Sequence, residues 1–235
     1  MINESFRIKP EPTERIKRIF QEACRAENIV SKFGKTLTPD ENIVRRFILI
    51  QTSILGRIPY IAEIIKEFPQ LQKGKINTIL NKLDKLDVIH LDEDKTNIVA
   101  AYPFSGSETP HKVSLKRKPL TKVSAMCAVD ALGISFMFDC DVSIESLCSH
   151  CEESIEIEVR DNEIILLKPR SAVVWFDMES SGCAATSVYK NTNFFSSNRH
   201  FEEWKKSKPR RRGKLLLMEE AFYLGKLYFE NRLKY

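Results

Sequence analysis

Cys127-Ala-Val-Asp130 stands at the head of an apolar run, Ala131-Leu132-Gly133-Ile134-Ser135-Phe136-Met137-Phe138. A thiol and a carboxylate three residues apart share one face of a helix. The sulfur can bind a soft electrophile or metal, and the carboxyl can hold and deliver a proton. The same spacing also describes a plain helix start with a buried cysteine, so the pair alone does not decide between the two. A helix N-terminus at Cys127 would lower the pKa of its thiol.

The other soft ligands cluster nearby. Five of the six cysteines, Cys127, Cys140, Cys148, Cys151 and Cys183, fall between positions 127 and 183, with Cys24 apart from them. In a chain read as cytoplasmic they should be reduced. Clustering argues for thiol or metal chemistry in this half; the competing reading of Cys140 and Cys148 is that of small core residues. Cys148-Ser-His150-Cys151 contains one Cys-x-x-Cys. A structural zinc wants four placed ligands, and the usual second Cys-x-x-Cys is absent.

The elements that must position these groups follow from pattern. Residues 12–24 predict a helix, with Ile16, Ile19, Phe20 and Ala23 on one face and Thr13 as cap. Thr38-Pro39-Asp40-Glu41 is a second start signal, followed by Ile43, Phe47 and Ile50. A third helix opens at Pro59 with Ile61, Ile64, Ile65 and Phe68, and a fourth covers 75–86 with Ile76, Ile79, Leu80 and Leu83. Val88-Ile89-His90-Leu91, an acidic turn and Ile98-Val99-Ala100-Ala101-Tyr102 predict a β-hairpin. Helices followed by a hairpin wing give the order of a winged helix-turn-helix.

Residues 105–110 are the best linker, dividing a helical domain, 1–104, from a second domain, 105–235. In the second, 154–159 alternate as a half-buried strand does, Asp161-Asn162 is a turn, and 163–167 and 172–176 are further strands. Helices near 199–206 and 217–233 close the chain. The fold class expected is α+β: a winged-helix-like domain, then a mixed α/β domain with a small, largely antiparallel sheet.

Composition narrows the partners. The chain has 235 residues and a formal charge of +5, mild for this length. Much of it lies in Lys205-Lys206-Ser207-Lys208-Pro209-Arg210-Arg211-Arg212-Gly213-Lys214, which reads as a solvated connector or as a phosphate-contacting loop. No apolar stretch approaches the roughly 20 residues of a membrane span, and residues 1–12 carry no apolar signal-peptide core. The expectation is a cytoplasmic protein with no membrane partner. The helix at 75–86 mixes Lys75, Lys82 and Lys85 with Asp84, a poorer DNA-reading face than a recognition helix usually shows.

Taken in order, Tyr102-Pro103-Phe104-Ser105, Met126-Cys127-Ala128-Val129-Asp130-Ala131-Leu132-Gly133, Ser149-His150-Cys151, and Asn193-Phe194-Phe195-Ser196-Ser197 with Trp204 downstream resemble the alkylmercury lyase family. The resemblance covers most of residues 40–233. It implies protonolysis of a carbon–mercury bond without an organic cofactor: two cysteine sulfurs hold mercury, and an aspartate manages the protons. Cys127 matches the first sulfur, where mercury would bind as substrate or product, and Asp130 matches the carboxylate. The family's second cysteine falls at Tyr189 here, a hard phenol with a pKa near 10; Cys183, six residues earlier, is the substitute within the chain, and a small-molecule thiol is the substitute from outside. Ser149-His150-Cys151 matches a segment that the family uses structurally. The implied substrate is an organomercurial or a related soft organometal. The alternative is a thiol-based metal or organometal sensor that binds DNA through residues 38–102, or a diverged relative with another substrate.

Overall fold

A computed structural model describes residues 6–26, 37–178 and 191–233, and the structural statements below concern these. They form seven helices, α1 Glu14–Ala26, α2 Pro39–Leu55, α3 Ile61–Glu67, α4 Lys73–Lys85, α5 Ala128–Phe138, α6 Asn198–Ser207 and α7 Met218–Phe229. Eleven strands make two sheets. The larger has the order β1 (Ile89–Leu91), β2 (Ile98–Ala101), β3 (Phe104–Ser105), β5 (Thr121–Ala125), β4 (Lys112–Leu115), β6 (Val142–Leu147), β7 (Ser154–Arg160) and β8 (Glu163–Lys168). The smaller has the order β10 (Asn193–Phe195), β9 (Val173–Asp177) and β11 (Gly213–Leu216). Every strand pair is antiparallel. An α+β fold built on antiparallel sheet is thus observed.

The helix start read at Thr38 is a capping box. The Thr38 hydroxyl accepts the Glu41 N–H, and the Glu41 carboxylate accepts the Thr38 N–H at 2.9 Å. The turn read at Asp161-Asn162 joins β7 to β8 with both residues at positive φ, 49° and 60°, as a two-residue hairpin turn demands. The hairpin β1–β2 does not end the sheet at the expected linker: β2 pairs with β3, and β3 with β5. The basic run is more than a connector. The Lys205 ammonium donates to the carbonyls of Lys208, Pro209 and Arg211, Arg211 pairs with the buried Asp177 at 2.6 Å, and Gly213–Leu216 form β11.

Helix α5 is the centre of this arrangement. Every residue from Ala128 to Met137 is buried. A helix apolar on all sides has neighbours on all sides: strands β4, β5 and β6 of the large sheet, β9 and β10 of the small one, and α7. The α5–α7 contact depends on two glycines. A Cβ on Gly225 would lie 3.0 Å from the Gly133 nitrogen, and one on Gly133 would fall inside the Phe229 ring. The two backbones therefore approach closely at Gly225, with the Phe229 ring seated on Gly133, which fixes the height of α5 and of the residues at its N-terminus.

Candidate active site and a second cysteine cluster

Strand β5 runs directly into the start of α5, and Cys127 is the cap between them. Its backbone is extended, φ −150° and ψ 176°, and its sulfur accepts the Asp130 N–H at 3.4 Å. Backbone bonds hold both sides of the cap: Met126 N–H donates to the Pro103 carbonyl at 3.0 Å, and Ala128 N–H donates to the Thr192 carbonyl at 3.1 Å. The chain entering β10 thus abuts the first turn of α5. Cys127 and Asp130 are both buried, 3% and 1% exposed. The structure brings this sequence-read pair together.

Its electrostatics differ from the sequence expectation. The thiol of Cys127 is not lowered by the helix N-terminus but pushed well above its usual 9.0. Burial is the main cause and the Asp130 carboxylate the second; the N–H groups of Asp130 and Val129 act the other way and are outweighed. Near neutral pH the Cys127 thiol is therefore protonated, with the Asp130 carboxyl group beside it.

A cleft of about 830 Å³ lies alongside. Met126, His111, Ser149, Asn191, Asn193 and Trp204 are among its walls. Met126 precedes Cys127, but Cys127 and Asp130 are not themselves among the cleft's lining residues. His111 is a residue that sequence reasoning missed. It is buried, with Nδ1 2.8 Å from the Ser146 hydroxyl and Nε2 3.2 Å from Asn193 Oδ1. Burial pulls its pKa down to about 4, against the opposing bond to Asn193, so the ring is neutral at ordinary pH. Cys183 and Tyr189, the two candidates for a second mercury ligand, lie outside the described residues.

The Cys-x-x-Cys has a different setting. Cys148 and Cys151 sit in the turn between β6 and β7, and His200 lies in the first turn of α6. The His200 Nδ1 is 3.3 Å from the Cys151 sulfur, 3.8 Å from the Cys148 sulfur and 2.6 Å from the Ser196 hydroxyl. Burial disfavours the Cys148 thiolate, yet N–H donors from Ser196, His150 and Cys151 and the Ser196 hydroxyl prevail and hold the thiol at about 6. Cys151 is exposed, and Cys127, Cys140, Cys148 and Cys151 all carry free thiols. His150 points elsewhere, 3.1 Å from Glu203. A second Cys-x-x-Cys is indeed missing from the sequence; His200, 49 residues from Cys151, takes part instead.

A buried thiol–carboxylate pair at a helix cap, inside an α+β fold with two antiparallel sheets, defines a protein whose first-turn cysteine meets an acid within a closed core. The alkylmercury lyase family profile, MerB, matches residues 104–230. Alkylmercury lyases of Bacillus cereus and Clostridium butyricum are each 31% identical over 156 residues, covering 65% of this chain and 67% of theirs. That of Staphylococcus epidermidis is 27% identical over 157 residues, covering 66% and 69%. The crystal structure of the mercury-bound form of MerB2 has the same fold, with a TM-score of 0.71 at 22% identity over 89% of this chain and all of that one. The chain belongs to the alkylmercury lyase family.

Proposed function

We propose that this chain is an organomercurial lyase in which Cys127 captures R–Hg⁺ and Asp130 carries the proton to carbon. The observation that supports this most directly is the buried contact of Cys127 with Asp130, a neutral thiol beside a carboxyl group of the same first turn. As the sulfur–mercury bond forms, the thiol proton passes to the Asp130 carboxylate. The carboxylic acid then protonates the carbon while the carbon–mercury bond breaks. R–H leaves and Hg(II) stays on sulfur, so one proton moves and no redox step or organic cofactor is needed. A general acid in this position typically contributes 10²- to 10⁴-fold.

The second sulfur comes from outside Cys127. Softness favours sulfur over the Tyr189 phenol, so Cys183 or a small-molecule thiol completes the coordination that weakens the carbon–mercury bond and then removes Hg(II). Phenylmercury turnover by the purified chain, with and without excess thiol, tests this. Hydrocarbon release that depends on added thiol, and loses that dependence in Tyr189→Cys, is the expected result. Many turnovers without added thiol, unchanged by Cys183→Ser, would contradict it.

The domain division at 104/105 belongs to the same proposal, as does a packing role for the helices before it. A DNA-binding sensor would need the lysines of α4 directed outward to phosphate. Lys75 pairs instead with Asp40, and Lys82 with Glu41 at 2.8 Å. Among the described residues no helix is long and apolar enough to cross a membrane.

A further inference from the structure

We propose that Cys148, Cys151 and His200 form a binding site for a thiophilic d¹⁰ cation, separate from the Cys127–Asp130 pair. The three ligand atoms, two sulfurs and an imidazole nitrogen, all lie within 4.8 Å of one another. Such a cation bound tetrahedrally sits about 2.3 Å from sulfur and about 2.0–2.1 Å from nitrogen, which makes each sulfur–nitrogen edge of the tetrahedron about 3.5–3.6 Å. The two edges here are 3.3 and 3.8 Å, one on each side of that length. On these two edges, closing on an ion would need shifts of a few tenths of an ångström.

The scaffold is already set. The turn that carries the cysteines is pinned at both ends: Cys148 N–H donates to the Glu153 carbonyl, and Glu152 N–H to the Cys148 carbonyl, both at 2.9 Å. The N–H groups that surround the Cys148 sulfur stabilise the charge that a metal-bound thiolate carries. On the other side, His200 N–H donates to the Ser197 hydroxyl at 3.2 Å, fixing the first turn of α6. Nδ1 can take either the Ser196 hydroxyl hydrogen, at 2.6 Å, or a cation. Binding exchanges that hydrogen bond for a metal–nitrogen bond and leaves the Ser196 oxygen or a solvent oxygen for the fourth corner. Both thiols release their protons as the ion enters.

The site is joined to the Cys127 region by one strand. The Thr192 carbonyl receives Ala128 N–H at one end of β10, and Ser196 meets His200 at the other. Four residues of extended chain separate them by about 13 Å, too far for one ion to bridge. The ion is zinc resident in the fold, or Hg(II) held after release from Cys127. Both have the same ligand chemistry.

The test uses full-length protein stripped with a chelator under reducing conditions. Co(II) is titrated as a spectroscopic probe, then Zn(II) as competitor. One Co(II) per chain is expected, with a sulfur-to-cobalt charge-transfer band that roughly halves in Cys148→Ser and in Cys151→Ser. His200→Ala should weaken Zn(II) by more than the roughly 10- to 100-fold that loss of an outer partner costs. Cys127→Ser, Cys24→Ser and Cys140→Ser should leave the band unchanged. Wild-type protein gives a readout free of folding defects: Zn(II) should protect Cys151 from alkylation. A separate titration of Cys127→Ser with Hg(II) distinguishes the sources. Mercury that displaces zinc and protects the same two cysteines marks a product site, and zinc that persists marks a resident ion. No stoichiometric binding of either ion, or a band that survives the Cys148→Ser/Cys151→Ser double variant, overturns the proposal.

Discussion

The two ends of strand β10 hold cysteines in opposite chemical states. At the Thr192 end, Cys127 is buried beside a carboxylate, and its thiol is driven up. At the Ser196 end, Cys148 is also shielded from solvent, 1% exposed, but has less protein packed around it, and its thiol is held at about 6. Burial opposes ionisation in both. What differs is the depth of packing, greater at Cys127, and the nearest polar group: a carboxyl at Cys127, a set of N–H donors and a hydroxyl at Cys148. In the mechanism proposed above, the first arrangement stores a proton for delivery. The second presents a thiolate without delay. How a cysteine ionises therefore depends on its polar neighbours as well as on its depth.

The largest effect expected on this comparison is from Cys127→Ser, which should reduce hydrocarbon release from phenylmercury to background while leaving the Cys148 end unchanged. Full activity in that variant would remove Cys127 from the mechanism. Asp130→Asn should still take up mercurial but release hydrocarbon about 10²- to 10⁴-fold more slowly. Single-turnover experiments separate the two steps, and equal loss of both would make Asp130 structural. Gly133→Ala should destabilise by about 1–3 kcal/mol, because the added methyl overlaps Phe229; thermal melting and turnover should fall together, since α5 carries the pair.

The pH dependence of stability should have opposite signs at the two ends. The folded pKa of Cys127 lies above that of the unfolded thiol, so its contribution is present below pH about 9 and is lost as pH rises beyond that. For Cys148 the folded value is depressed, so its contribution is complete above pH about 9 and is lost as pH falls toward 6. Chemical denaturation from pH 6 to 10 should show Cys148→Ser removing a slope below 9 and Cys127→Ser removing one above it. Identical slopes in both variants would mean that the contrast is illusory. The smallest effect is the control: Thr38→Ala breaks the capping box of α2 and should cost about 1 kcal/mol without altering mercurial cleavage per folded molecule.

The helices were legible because their signals are local. Thr38, Pro39 and Glu41 announce α2 within four residues, and the apolar spacing of Ile76, Ile79, Leu80 and Leu83 does the same for α4. Strands β4 and β6 were not read. Lys112–Leu115 is only four residues long, and in Val142–Leu147 the buried position 146 is a serine, placed there to bond His111 rather than to pack. That substitution hides the alternation that marks a strand. The Cys127–Asp130 pair was legible because one helical turn joins it. The partner of Cys148 and Cys151 was not, because the ring of His200 reaches them only through the packing of α6 beside the β6–β7 turn.

The glycine contact between α5 and α7 also bears on which changes the protein can tolerate. With every side of α5 covered and two backbones touching at Gly133 and Gly225, no position on that helix can gain bulk without displacing a neighbour. The Cys127–Asp130 pair is thereby held at one fixed height, and, if it reacts as proposed, substitutions that adapt the molecule to a larger or differently shaped organic group must fall elsewhere. The cleft walls at His111, Asn191 and Asn193 belong to strands and loops rather than to α5. Diversity among descendants of this sequence should accumulate at such walls, while the buried helix stays nearly invariant.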